Sequence, residues 1–199
     1  HVDEWWKLDP IAGTISAQRQ DITFTCVIPK ETEEHKPPYS VAIYGHGYGS
    51  NRLEGFLFGW GFVRAGMAAC SIDFPAHGIA LDGDDLEEIE AILEGLGLLG
   101  LMEHLEKGRT SDTNNDGVGD SGTHQWTADA FHTRDQVRQA VVDWMWFVRS
   151  LQRCGETTMD MSGQEVVSCD WDRDGIADIG GPDADFTLAG GSLGGIVDG

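Results

Sequence analysis

A chain of 199 residues can bury one sizeable hydrophobic core, and 40% hydrophobic with 24% charged residues is the composition of a globular protein, not a disordered or fibrous one. Acidic residues outnumber basic ones 34 to 13, and the resulting formal net charge of -21 repels phosphate backbones and anionic bilayers, so nucleic acid is excluded as an expected partner. No apolar run has the length of a bilayer span, because the Leu-rich stretch Ile89 to Leu105 is broken by Glu90, Glu94 and Glu103, and no transmembrane segment is expected.

The chain opens at His1 with neither a Met nor a charged-then-apolar leader, as after removal of a signal peptide or trimming of the chain. Ile22, Phe24, Cys26 and Ile28 then alternate with Asp21, Thr23, Thr25 and Val27 up to Pro29, the period of a half-buried strand near a sheet edge. Val41 to Tyr44 is a short, nearly continuous apolar run, the pattern of a strand buried on both faces of a parallel sheet. A helix is predicted from Leu53 to Ala65 with Gly66 as its stop, followed by a second buried strand from Met67 to Ile72.

Residues 79–127 are too long for a plain connection and are expected to form an insertion with its own helix, striped by Leu86, Ile89, Leu93 and Leu96. That helix either packs peripherally on the core or forms a cap-like lid over a substrate cleft. Val137, Val141, Trp144, Val148 and Leu151 recur every three or four residues behind Thr133-Arg134-Asp135, which predicts a helix with one broad apolar face. A second acidic insertion over 155–183 separates it from a last buried strand, Phe186 to Ala189. Strand, helix, strand, helix, strand in this order argues for a three-layer α/β sheet with right-handed crossovers.

None of the four cysteines has zinc-site spacing. Cys154 and Cys169 bracket a short polar loop that a disulfide could close, which suits an oxidising compartment. Cys26 and Cys70 lie inside apolar strand runs, where a buried free thiol is the commoner state.

Two acidic stretches share one pattern. Asp112, Asn114, Asp116 and Asp120 occupy positions 1, 3, 5 and 9 of a loop with Gly117 at position 6, and Asp170, Asp172, Asp174 and Asp178 repeat this around Gly175. With the backbone carbonyls of Val118 and Ile176 at position 7, each supplies the oxygen ligands that calcium takes. The alternative is an acidic solvated turn. Position 12 holds Thr123 or Gly181 in place of the bidentate Glu of an EF-hand, although Asp183 or Asp185 could complete the second loop. Both loops resemble the D-x-[DN]-x-D-G-x-x-D loops of thrombospondin type 3 and dockerin modules, which implies structural calcium and, with the disulfide, a secreted or cell-surface protein.

Gly190-Gly191-Ser192-Leu193-Gly194-Gly195 follows the last strand and matches the G-x-S-x-G nucleophile elbow, in which small neighbours let a tight turn present one serine. Gly45-His46-Gly47-Tyr48-Gly49-Ser50 follows the first buried strand, and Asp73-Phe74-Pro75-Ala76-His77-Gly78 follows the second. This order of motifs, with Arg134 to Gln139 ahead of the nucleophile strand, resembles the α/β-hydrolase family, in particular bacterial secreted lipase-like and esterase-like members, over residues 20–199. The resemblance implies a three-layer, mostly parallel sheet, here the N-terminal part of one domain spanning 1–199 and incomplete at its C-terminus. It implies Ser192 as nucleophile and the backbone N–H groups of Tyr48 and Leu193 as the oxyanion hole. His46 and His77 are, in that family, structural parts of their turns. The family's acid and base follow the nucleophile, so they are expected beyond Gly199, on a C-terminal segment or a second chain completing the fold; Asp198 is too close to Ser192 on one helix to serve. The expected function is hydrolysis of a small-molecule or lipid carboxylic ester through an acyl-enzyme on Ser192. The alternative is a non-catalytic, calcium-dependent binding or adhesion module on the same scaffold.

Overall fold

The computed structural model describes residues 7–16, 20–160 and 162–199; His1 and, within the second insertion, Met161 lie outside the described residues. The chain divides into two compact units, residues 1–23, 48–51 and 73–140 in one and 24–47, 52–72 and 141–199 in the other.

The second unit holds the principal sheet. Its strands are β3 (Phe24–Val27), β4 (Val41–Gly45), β5 (Ala68–Ile72) and β8 (Phe186–Gly190), in the order β3-β5-β4-β8. Every residue of β4 and β5 is buried, which their continuous apolar sequences require of central strands. The three-layer, mostly parallel sheet expected of an α/β-hydrolase is not what forms. The sheet is mixed and has four strands, because β3 pairs antiparallel with β5 while β5, β4 and β8 run parallel. β8 is also not buried on both faces: as the outer strand it leaves Thr187 and Leu188 exposed.

The helix predicted over 53–65 is interrupted. Gly59 separates α1 (Glu54–Phe58) from α2 (Trp60–Arg64), and an ideal Cβ on Gly59 would lie 2.3 Å from the Gly55 carbonyl oxygen and 2.7 Å from the Ala69 Cβ, so only glycine lets the chain pass this close to β5. α5 (Ala130–Leu151) starts three residues before Thr133, and the division between the units falls within it. Its part in the second unit buries Asp143, Trp144 and Leu151, whereas Val141, placed on the apolar face from the sequence, is exposed. β6 (Thr157–Met159) and β7 (Glu165–Val167) form an antiparallel hairpin, and α6 (Leu193–Asp198) follows β8.

Both cysteine pairs are disulfides, and no free cysteine remains. Cys154–Cys169 is the pair expected from the loop it closes. Cys26–Cys70 corrects the expectation of buried free thiols: the antiparallel register of β3 on β5 sets Cys26 directly opposite Cys70.

In the first unit, β1 (Lys7–Asp9) and β2 (Thr14–Ser16) pair antiparallel. α3 (Gly83–Gly95) begins where Asp82 accepts the Asp85 N–H at 2.9 Å, with Asp84 and Asp85 in a first turn whose dipole favours negative charge. Of the predicted stripe, Leu86, Ile89 and Leu93 are half-buried while Leu96 is exposed. α4 (Met102–Glu106) follows a 3-10 turn at Leu99–Leu101. Among the described residues, no helix is long and apolar enough to cross a membrane.

Candidate active site and acidic loops

Ser192 occupies a backbone conformation that side chains other than glycine rarely take, φ 53° and ψ −109°, in the turn between β8 and α6. The turn is tight because three glycines meet there. A Cβ on Gly194 would sit 2.1 Å from the Gly45 carbonyl oxygen, one on Gly190 would sit 2.5 Å from the Gly194 carbonyl carbon, and one on Gly45 would lie 2.8 Å from the Trp144 ring and 2.9 Å from the Gly194 Cα. β4, β8 and α6 therefore approach at backbone distance, with Trp144 closing the cluster, and the Gly191 N–H donates to the Gly45 carbonyl at 3.2 Å. Ser192 is left exposed at the head of α6, while the next residue, Leu193, is buried. Such an arrangement presents a hydroxyl, with a backbone N–H directly after it, at a helix start.

Around this turn lie further polar groups, of which Glu54 was not singled out from the sequence. The Gly47 N–H donates to Glu54 Oε2 at 2.7 Å, across seven residues with no local motif to announce it. Tyr44 is buried and stacks on Phe58 with ring centroids 5.5 Å apart; burial first, then the carboxylates of Glu54 and Asp198, hold its phenol above the ordinary pKa. The Asp198 carboxyl is raised to about 6 by desolvation, and its Oδ1 is buried with no hydrogen-bond partner among the described residues. His46 is fully buried with Nδ1 2.8 Å from the Gly47 carbonyl oxygen, and burial lowers its pKa despite that bond and the Glu54 charge.

No protein-family model, curated protein or solved structure matches this chain.

Of the residues named from the sequence, Ser192 and Leu193 are brought together by the turn into α6, and the loop at 170–178 lies in the same unit. Tyr48 and the loop at 112–120 belong to the first unit. There the Tyr48 ring meets His77 edge-on at 5.9 Å and Trp126 at 6.1 Å. His77 is buried with Nδ1 2.8 Å from the Pro75 carbonyl, so, like His46, it bonds the backbone of its own turn.

The two acidic loops fold alike. In each, the carboxylate at position 1 accepts the N–H of the position-6 glycine at 2.9 Å (Asp112 from Gly117, Asp170 from Gly175). The position-5 carboxylate accepts the position-7 N–H at 2.8 Å (Asp116 from Val118, Asp174 from Ile176). Asp120 and Asp178 at position 9 accept from Thr113 N at 2.9 Å and Trp171 N at 2.8 Å. Asn115 and Arg173 take φ near 64° and 63°, and both loop glycines have φ 92°. In the second loop, oxygens of Asp170, Asp172 and Asp174 converge within 4.8 Å of one another, a group that could hold a metal ion. For Asp172 the Asp174 backbone hydrogen bond lowers the pKa, but desolvation and the charges of Asp174, Asp178 and Asp170 outweigh it and the net shift is upward. A cation would relieve that repulsion, and an all-oxygen set suits a hard divalent one.

Proposed function

We propose that this chain carries the nucleophile of a secreted or cell-surface serine hydrolase that cleaves carboxylic esters of small molecules or lipids. The observation that carries this is the left-handed, glycine-walled turn at Ser192: a strained, exposed serine at the start of a helix is costly to hold and serves a reaction better than packing. Ser192 Oγ attacks the ester carbonyl carbon and loses its proton to a base, the tetrahedral oxyanion is held by the N–H group of Leu193, and the C–O bond to the alcohol breaks as the alcohol takes that proton. Water then attacks the acyl-enzyme by the same route and releases the acid. Activating the serine requires a base to take its proton and an acid to orient that base. The two disulfides fit an oxidising compartment, in which the loops at 112–120 and 170–178 would hold structural calcium.

A second reading, a calcium-dependent binding module without catalysis, draws on the duplicated acidic loops. One experiment separates them. The full-length natural protein is treated with a fluorophosphonate probe, with Ser192→Ala as control, in calcium and after chelation. Labelling that disappears in Ser192→Ala supports the hydrolase, and a fall in thermal stability on chelation supports structural calcium. A folded, calcium-loaded protein that takes no label is a binding module.

A further inference from the structure

α1 and α2 pack in the opposite sense to most helices on a sheet: their glycines face the core and their large apolar side chains face out. Gly55 and Gly59, four residues apart, are buried against β5, with ideal Cβ positions 3.0 Å from the Ser71 Cβ and 2.7 Å from the Ala69 Cβ. Phe56, Leu57, Phe58 and Trp60 are exposed, Leu57 by 77% and Trp60 by 64%. No residue from Gly55 to Val63 is charged, and the Trp60 indole N–H is the one side-chain hydrogen-bonding group among them.

This face adjoins the nucleophile within a single unit. The Phe58 ring stacks on Tyr44 at 5.5 Å, and the Tyr44 hydroxyl lies 3.2 Å from the ideal Cβ of Gly191, the residue before Ser192. Ile196, one turn beyond Ser192 in α6, is exposed as well.

Contiguous exposed apolar surface marks a docking site, and charge and hydrogen-bonding capacity select the occupant. A protein partner is recognised through about one hydrogen bond per 100–200 Å² of interface, for which this face offers a single side-chain donor. A second copy carries the same charge of -21, and that charge also repels an anionic bilayer. A lipid surface without net charge requires neither a polar complement nor an opposite charge, and Trp side chains favour its interfacial region. We propose that the outer face of α1 and α2 docks on an electrically neutral lipid surface, where Ser192 meets esters held in that surface. This rests on the reading of Ser192 as a hydrolase nucleophile and narrows its substrates to aggregated lipid esters.

The test measures cosedimentation with phosphatidylcholine vesicles for the full-length protein, its Leu57→Ser/Trp60→Ser variant and a Met159→Ser control, whose side chain is 68% exposed in β6. Fluorophosphonate labelling is run on each. Removing one half-inserted side chain weakens partitioning about 3- to 10-fold, and removing two weakens it about 10- to 100-fold. The double variant is expected to show the larger loss and the control none, with equal labelling in all three. Should the double variant melt below the parent, each single substitution is read instead and shows the smaller loss. A parent that does not bind, binds only when phosphatidylglycerol is added, or binds equally well after the double substitution overturns the proposal, as does a concentration-dependent dimer that the double substitution dissolves. Labelling reports the nucleophile separately: a parent that labels but ignores vesicles keeps Ser192 and loses the docking face, whereas one that binds vesicles without labelling keeps the docking face and loses the Ser192 reading.

Discussion

Replacing Gly194 by alanine tests whether backbone contact between α6 and β4 is what shapes the elbow. The added Cβ would lie 2.1 Å from the Gly45 carbonyl oxygen and 2.5 Å from its carbon, in the β4 strand end that also pairs with Gly190. Both are backbone atoms of a buried strand, so no side chain can swing aside, and α6 or β4 must move by about 1 Å to restore ordinary contact. Overpacking a tight site costs about 1–3 kcal/mol, and a rigid backbone neighbour puts this case at the upper end, about 3 kcal/mol. In a protein of this size that is a fall in Tm of about 6–12 °C. The control is the same chemical change at Gly61 in α2, which has nothing within 4 Å of its ideal Cβ. There the lower backbone entropy of alanine in a helix gains about 0.5–1 kcal/mol, and Tm rises slightly. Differential scanning calorimetry of the two variants against the parent reads both signs. A Gly194→Ala protein melting within 1 °C of the parent would refute the claim that this glycine is required by close approach.

Removing the disulfides should rank them by loop length. Cys26–Cys70 closes a separation of 44 residues and Cys154–Cys169 one of 15, so chain entropy puts their losses at about 4 and about 3 kcal/mol, measurable by urea unfolding of the paired Cys→Ala variants. The reverse order would show that native-state contacts, not chain entropy, dominate. Asp198 gives a pH signature: its folded pKa is raised to about 6, so folding favours the protonated form. That contribution is complete below the unfolded value near 3.8 and is lost as pH rises through about 6. Asp198→Asn should therefore gain stability over the parent increasingly from pH 4 to pH 7, and a difference that stays flat across that range removes desolvation as the cause.

The local chemistry was legible in the sequence. Continuous apolar runs gave β4 and β5 because a strand surrounded on both faces carries no polar positions, and the repeated Asp-x-Asp/Asn-x-Asp-Gly spacing announced two loops whose hydrogen bonds depend on residues at most eight apart. The glycines around Ser192 also spoke locally, since a tight turn excludes side chains wherever it occurs. Pairing was not legible. That β3 lies antiparallel on β5, which turns Cys26 and Cys70 into a disulfide and makes the sheet mixed, depends on which strands become neighbours. The exposure of β8 depends on the same choice: Phe186 to Ala189 reads as a buried strand, but only sheet order decides which strand is outermost. Glu54 reaching Gly47 is likewise invisible in sequence, because a single carboxylate carries no signal until the fold brings a backbone N–H to it. Periodicity and turn chemistry act over a few residues and are written in the chain, whereas register, strand order and the partners of isolated polar groups are properties of the packed whole.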